Sequence, residues 1–265
     1  MGYSLYVSFC DYTLLQQPVF TGARNFQQLA ADETFWKVLR NTLLFAGLSV
    51  PLTTVLAILL AVLMNQGVRG QAFFRACLFL PTVVPLVAAG VVWSLLLNPK
   101  LGLLNAVLGV FHIRTPSILE SPAWAMGSLV VVSLWFVGSP MVIYLAGLQE
   151  IPEELYEAAM LDGASAPRRF WHVTLPGLSP VILFNVIINI IGALQIFALP
   201  FVMFRMRAGP NESAYFYTSY LFDNAFKYLR MGYASAMGWI QLLIILVLTA
   251  LVFAVSRRMV HYRGA

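Results

Sequence analysis

Five stretches of this chain, residues 41–68, 76–99, 121–149, 173–204 and 231–256, contain no Asp, Glu, Lys, Arg or His. Each exceeds the roughly 20 apolar helical residues needed to cross a hydrocarbon core about 30 Å thick, and none resembles the run of about 10–14 residues expected of a core helix in a soluble domain. Packing five helices that are apolar all round into one water-soluble domain of 265 residues would leave too little polar surface to face water. The expected fold is therefore all-α: a polytopic membrane helical bundle with five full spans, forming one transmembrane domain over residues 1–265.

Composition agrees. Apolar residues make up 60% of the chain and charged residues 10%, against about 45–50% and about 25% in ordinary soluble domains. The net charge of +5 does not indicate nucleic acid, because the basic residues are scattered at the ends of apolar runs rather than clustered with aromatics. The solvent and constant partner of such a chain is membrane lipid. Prolines interrupt the spans at Pro51, Pro81, Pro85, Pro140, Pro180 and Pro200. A helix broken in lipid needs neighbouring helices or a wet cavity to take up its freed carbonyls, which suits a bundle arranged around a path. Each single proline also fits an ordinary membrane-helix kink.

Loop charges do not orient the chain. Seven Lys and Arg fall on the side of the first inter-span loop (Arg69, Arg75, Arg168, Arg169, Arg257, Arg258, Arg263) and nine on the other. The positive-inside rule leaves this open, although the turn around Arg69 and the tail from Ser256 both read as cytoplasmic.

Four of the eleven acids lie in one polar insertion between the third and fourth stretches, EELYEAAMLDGASAPRRFWHVTLP, residues 153–176. Pro152 suits the first position of a helix, with Glu153 and Glu154 favoured in the first turn by the helix dipole. Gly163 is a natural helix stop in the left-handed conformation. A second short helix is expected after Ser165, opening with Pro167, Arg168 and Arg169 and ended by Pro176. Ala158, Ala159 and Gly163 would let another backbone approach this knuckle closely, and Glu157 offers one charge to a basic partner.

This insertion resembles the EAA coupling loop of permease subunits of binding-protein-dependent ABC importers: Glu157, Ala158, Ala159, three residues, Gly163, then Val173, Thr174, Leu175 and Pro176 at the family spacing. Segments 79–105, 134–165 and 225–249 are similar to the carbohydrate-type members, which import oligosaccharides, sugars and glycerol 3-phosphate. The resemblance implies that residues 149–178 form a cytoplasmic loop docked on an ATPase, with Glu157, Ala158, Ala159, Gly163, Leu175 and Pro176 as its coupling residues, and this settles the orientation. It further implies a second permease subunit, two ATPase subunits carrying ATP and Mg, an extracytoplasmic substrate-binding protein, no cofactor or catalytic residue on this chain, and residence in a bacterial or archaeal cell membrane. Such permeases commonly have six spans. YSLYVSFCDY, residues 3–12, is similar to the outer end of their first, so a truncated first span and an upstream natural start are expected.

Polar residues inside the spans are the candidates for a substrate path. Asn185, Asn189, Gly192 and Gln195 fall within an arc of about 120° on a helix turning about 100° per residue. That face would either hydrogen-bond sugar hydroxyls or hold helices together. Trp93, Trp135 and Trp239 suit interfacial anchors. Cys10 with Cys77, and His112, His172 and His261, have no partners at ligand or disulfide spacing, and no phosphate-binding glycine loop is present. Residues 100–120 read as an amphipathic segment along the outer interface. The alternatives are a stand-alone membrane channel or enzyme, or an ABC permease for a non-carbohydrate solute. An intramembrane enzyme would be expected to carry ionisable residues within its spans.

Overall fold

The computed structural model describes residues 1–13, 15–66, 70–99, 102–110, 118–205 and 208–256. Arg69, Lys100, His112, Arg114, Arg207, His261, parts of segment 100–120 and the basic tail from residue 257 lie outside these. The described residues form α1 (Gly2–Ser8), a two-residue antiparallel pairing of β1 (Cys10–Asp11) with β2 (Val19–Phe20), α2 (Arg24–Ala31), α3 (Glu33–Asn65), α4 (Gln71–Val83), α5 (Leu86–Leu96), α6 (Leu103–Val110), α7 (Pro122–Leu134) and α8 (Gly138–Gln149). Beyond these come α9 (Glu153–Leu161), α10 (Ala166–Arg169), a π turn at Phe170–Thr174, α11 (Leu175–Gly177), α12 (Ser179–Leu194), α13 (Ala198–Met203), α14 (Tyr217–Phe222) and α15 (Met231–Ser256).

The five expected spans appear as three stretches long and apolar enough to cross a membrane, Glu33–Asn65, Met231–Ser256 and Ser179–Met203, the last running through α12 and α13, and two bent pairs, α4 with α5 and α7 with α8. Pro51 lies inside the uninterrupted α3 and Pro81 inside α4. The α4–α5 break falls at Val84 and Pro85, where the residue before proline is extended, with φ −71° and ψ 127°. The α region is disfavoured there by the proline ring, so this proline does break the helix. Large apolar side chains on the long helices face outward, Leu59 and Leu63 on α3 and Leu246 and Val247 on α15 among them. This is the expected surface where the solvent is lipid.

The fold comprises two compact units. One contains residues 1–47, 86–130 and 191–248. Its core joins Phe35 and Val38 of α3, Tyr217 and Tyr220 of α14, and Tyr233, Ala236 and Met237 of α15. Tyr217 is nearly fully buried, and both of its donors are used: its N–H donates to Thr42 Oγ1 at 2.9 Å and its hydroxyl to the Met237 carbonyl at 2.7 Å. Asp32, just before α3, accepts from the hydroxyls of Tyr220 and Tyr233, each at 2.5 Å. Burial alone would raise the Asp32 pKa, but these two bonds, with those from the Thr34 and Phe35 N–H groups, hold it below the usual carboxylate value.

The other unit contains residues 48–85, 131–190 and the chain from 249 onward. Ala57, Ala61 and Met64 of α3 recur at helical spacing and meet Met141, Tyr144, Leu145 and Leu148 of α8, with Leu178 completing the cluster. Because lipid is as apolar as these side chains, close packing rather than expulsion of water holds the helices together, and small residues set the approach. At Gly138 that approach is extreme, since a Cβ there would sit 2.1 Å from the Leu78 carbonyl oxygen. The last turn of α3 is closed by side chains of α4, Gln71 and Arg75 both donating to the Met64 carbonyl, one of the terminal carbonyls that a helix cannot satisfy internally.

Candidate functional site

Residues 149–178 fold within the second unit as two short helices meeting at Gly163. Pro152 is the residue that caps α9 rather than its first helical residue, with φ −57° and ψ 136°, so Glu153 and Glu154 open the helix. Gly163 has φ +72°. Its N–H bonds the Met160 carbonyl at 3.0 Å and the next N–H, that of Ala164, reaches back to Ala159 at 2.9 Å. This paired closure satisfies two terminal carbonyls and requires the left-handed conformation that glycine adopts without penalty. Ser165 is extended and caps α10, with Pro167 in its first turn.

The expected stop at Pro176 is not found. Pro176 lies within α11, and helical backbone continues through Leu178 into α12. The π turn just before it explains why: the Leu175 N–H bonds the Phe170 carbonyl, five residues back. The widened turn accommodates a residue that has no N–H to give and whose ring would clash with an ordinary preceding turn. Sequence reasoning missed a further feature. Tyr156 on α9 places its hydroxyl 3.0 Å from Oγ1 of the buried Thr174, tying the first helix of the loop to the π turn. The signal was a hydroxyl-bearing ring one residue before Glu157, on the face turned from the motif's exposed side.

Glu157 and Ala158 are exposed and Ala159 is half-buried. Leu155 and Met160 are half exposed, Trp171 is 62% exposed and Leu161 is 90% exposed. Apolar residues this bare on a polar loop form the kind of patch that marks a protein contact. Among the described residues, none apart from its immediate chain neighbours lies within 4 Å of where a Gly163 Cβ would stand, so the space in front of it is open. A cleft of about 560 Å³ separates the knuckle from the ends of α3 and α8, with Gln66, Gln149, Glu153, Tyr156 and Arg169 in its walls. His172 is exposed, its Nδ1 2.9 Å from the Arg168 carbonyl.

The four polar path candidates divide between the two units. Asn185 is 3% exposed and its amide donates at 3.1 Å to the Val181 carbonyl of its own helix. Asn189, one turn later, has a buried Nδ2 without a hydrogen-bond partner among the described residues. In the other unit, Gly192 faces open space, and Gln195 is exposed just beyond the end of α12. A residue not anticipated from sequence is Gln241 of α15, whose amide donates to the Leu194 carbonyl at 2.9 Å and to Thr218 Oγ1 at 3.2 Å. A single amide in a long apolar span was the available signal. A cavity of the second unit, about 960 Å³ between α3, α12 and α15, is lined by side chains such as Val55, Leu183 and Leu251 and suits acyl chains rather than hydroxyls.

Helices of this length and apolarity, with a glycine-closed polar knuckle between two of them, are those of a polytopic membrane protein. Residues 53–261 match the family of binding-protein-dependent transport system inner membrane components, and the chain belongs to it. It is 36% identical over all of its length to the probable ABC transporter permease protein YesP of Bacillus subtilis, 86% of which is covered. It is 32% identical to the trehalose/maltose transport system permease protein MalF of Thermococcus litoralis, over 93% of this chain and 83% of that one. Its fold matches a chain of a solved bacterial ABC transporter involved in the import of the acidic polysaccharide alginate, with a TM-score of 0.87 and 24% identity over 98% of this chain and 89% of that one. Family members are inner-membrane transport components, and ATP hydrolysis belongs to a separate subunit.

Proposed function

We propose that this chain is a permease subunit that translocates a sugar or related carbohydrate, working with a second permease, two ATPase subunits that bind ATP and Mg, and an extracytoplasmic binding protein. Residues 1–265 act as one transmembrane domain and residues 149–178 as its coupling loop. ATP-driven closure of the ATPase pair presses on the exposed face of α9, around Glu157, Ala158, Ala159 and Gly163. Leu175 and Pro176 pass that movement into α12, and the spans alternate between outward and inward openings. The observation that carries the reading is the closure at Gly163, with Leu161 90% exposed beside it: a rigid, small-residue elbow bearing an unpartnered apolar side chain fits a cleft on another protein. The carbohydrate class rests on the likeness to the trehalose/maltose permease. Among the path candidates Asn185, Asn189, Gly192 and Gln195, the unpartnered amide of Asn189 is the one best able to meet a hydroxyl.

Copurification followed by reconstitution tests this. The subunit should bring down a partner permease and two copies of an ATPase, and vesicles should accumulate sugar only with ATP and binding protein. Sugar equilibrating through the subunit alone would instead identify a stand-alone channel.

A further inference from the structure

In the first unit, a polar cavity of about 140 Å³ is framed by Asp11, Arg24, Gln28, Arg230 and Tyr233. It closes where the β1–β2 hairpin meets the start of α15: the Gly232 N–H donates to the Tyr12 carbonyl at 3.1 Å, and buried Asn25 donates to the Ser8 and Cys10 carbonyls at 2.9 and 2.8 Å. The walls are therefore fixed. The Arg230 guanidinium is held from two directions, stacking 4.3 Å from the Tyr233 ring centroid and donating to Gln28 Oε1 at 3.0 Å. Arg24 is exposed, and its side chain makes no ion pair or hydrogen bond among the described residues. Asp11 pairs with neither guanidinium, the one ion pair among the described residues being Lys37 with Glu212. Two guanidiniums thus outnumber one carboxylate around a space large enough for a single carboxyl group.

Next in sequence to the lining residues the chain bares apolar side chains. Val19 and Phe20, 63% and 65% exposed, precede Thr21 in its wall, and Tyr228, 53% exposed, precedes Arg230. An arginine pair with exposed aromatic and aliphatic residues next to it in sequence has the composition of a protein-interface hot spot rather than of a free-ion site. With each of the five uncharged stretches of the sequence taken as one crossing and the loop at 149–178 as cytoplasmic, residues 11–28 and 230–233 fall in extracytoplasmic segments.

We propose that Arg24 and Arg230 receive an acidic side chain of the extracytoplasmic binding protein, with Phe20 and Tyr228 packing around it. The inference rests on the binding-protein-dependent transport reading above and adds the chemistry by which that partner is recognised. Charge pairs of this kind steer encounter and set affinity.

The test uses the whole transporter in lipid vesicles, with ATP hydrolysis measured against binding-protein concentration at low and high salt. Arg24→Glu should raise the half-saturating concentration about tenfold and flatten its salt dependence, with the rate at saturation retained. Arg230→Ala should shift half-saturation the same way, and Arg230→Lys should shift it less. Half-saturation and salt dependence unchanged in Arg24→Glu would overturn the proposal. So would unchanged half-saturation with loss of inorganic phosphate binding, which would mark a free-anion cavity. A parent transporter that binding protein does not stimulate would contradict the transport reading itself, and this inference with it.

Discussion

The hydroxyls of Tyr156 and Thr174 lie 3.0 Å apart, joining the α9 helix that carries Glu157 to the π turn that leads into α12. A part-buried hydrogen bond of this kind contributes about 1 kcal/mol, enough to keep two short helices moving as one piece. Tyr156→Phe and Thr174→Val should each lower sugar moved per ATP hydrolysed several-fold while the protein still inserts and assembles. The check is simultaneous measurement of uptake and hydrolysis in vesicles, and an unaltered ratio in both variants would remove the brace from the mechanism.

Gly163 separates a backbone effect from an interface effect. Its φ of +72° makes any L-residue cost about 1–2 kcal/mol, and with no described residue beyond its chain neighbours within 4 Å of a Cβ there, alanine and leucine should destabilise the isolated subunit equally. In the assembled transporter they should differ. Gly163→Ala should retain much of the uptake, whereas Gly163→Leu should lose tenfold or more if a partner surface lies against this position, by the order expected for overpacking a close contact. Equal uptake in the two variants would mean that nothing packs there.

Gly138 is a packing site. A methyl group at this position would lie 2.1 Å from the Leu78 carbonyl oxygen, and backbone cannot move aside as a side chain can. Gly138→Ala should therefore cost about 3 kcal/mol or more, seen as a large fall in thermal stability in detergent. A variant as stable as the parent would refute the α4–α8 approach described above.

Stability should also depend on pH through Asp32. Its folded pKa lies below the usual value, so its contribution is present above the unfolded value of about 3.9 and is lost as pH falls through the folded pKa. Tyr220 runs the other way. Burial, reinforced by its bond to Asp32, raises its pKa, so its contribution is present below about pH 10 and is lost as pH rises through the folded value. Asp32→Asn should flatten the acid limb of a stability-versus-pH curve, and an unchanged acid limb would show that the carboxylate is not held by the two tyrosines.

Much of this was legible from residues alone. The uncharged stretches located the membrane helices because exclusion of charge from lipid leaves a long and unambiguous mark. Gly163 was readable because only its conformation closes a helix in that way, and the helix start at Ser165 and Pro167 because the backbone preferences that set it are local. Pro176 was misjudged because the π turn that absorbs it depends on a hydrogen bond from Leu175 to Phe170, for which local sequence carries no distinct sign. The polar face from Asn185 to Gln195 was read from helical periodicity, which gives angle but not partner. Asn185 turned out to bond its own helix, while Gln241, on a different span, supplies the cross-helix bond. Contacts between residues distant in sequence, such as Tyr156 with Thr174 or Gly138 with Leu78, depend on how the helices pack.

The most direct measurement is site-directed photocrosslinking from Glu157 and Leu161 in the assembled transporter, in the absence and presence of ATP. The account predicts crosslinks from both positions to the ATPase subunit, with yields that change on nucleotide binding. An active, intact complex in which neither position ever reaches an ATPase would contradict it.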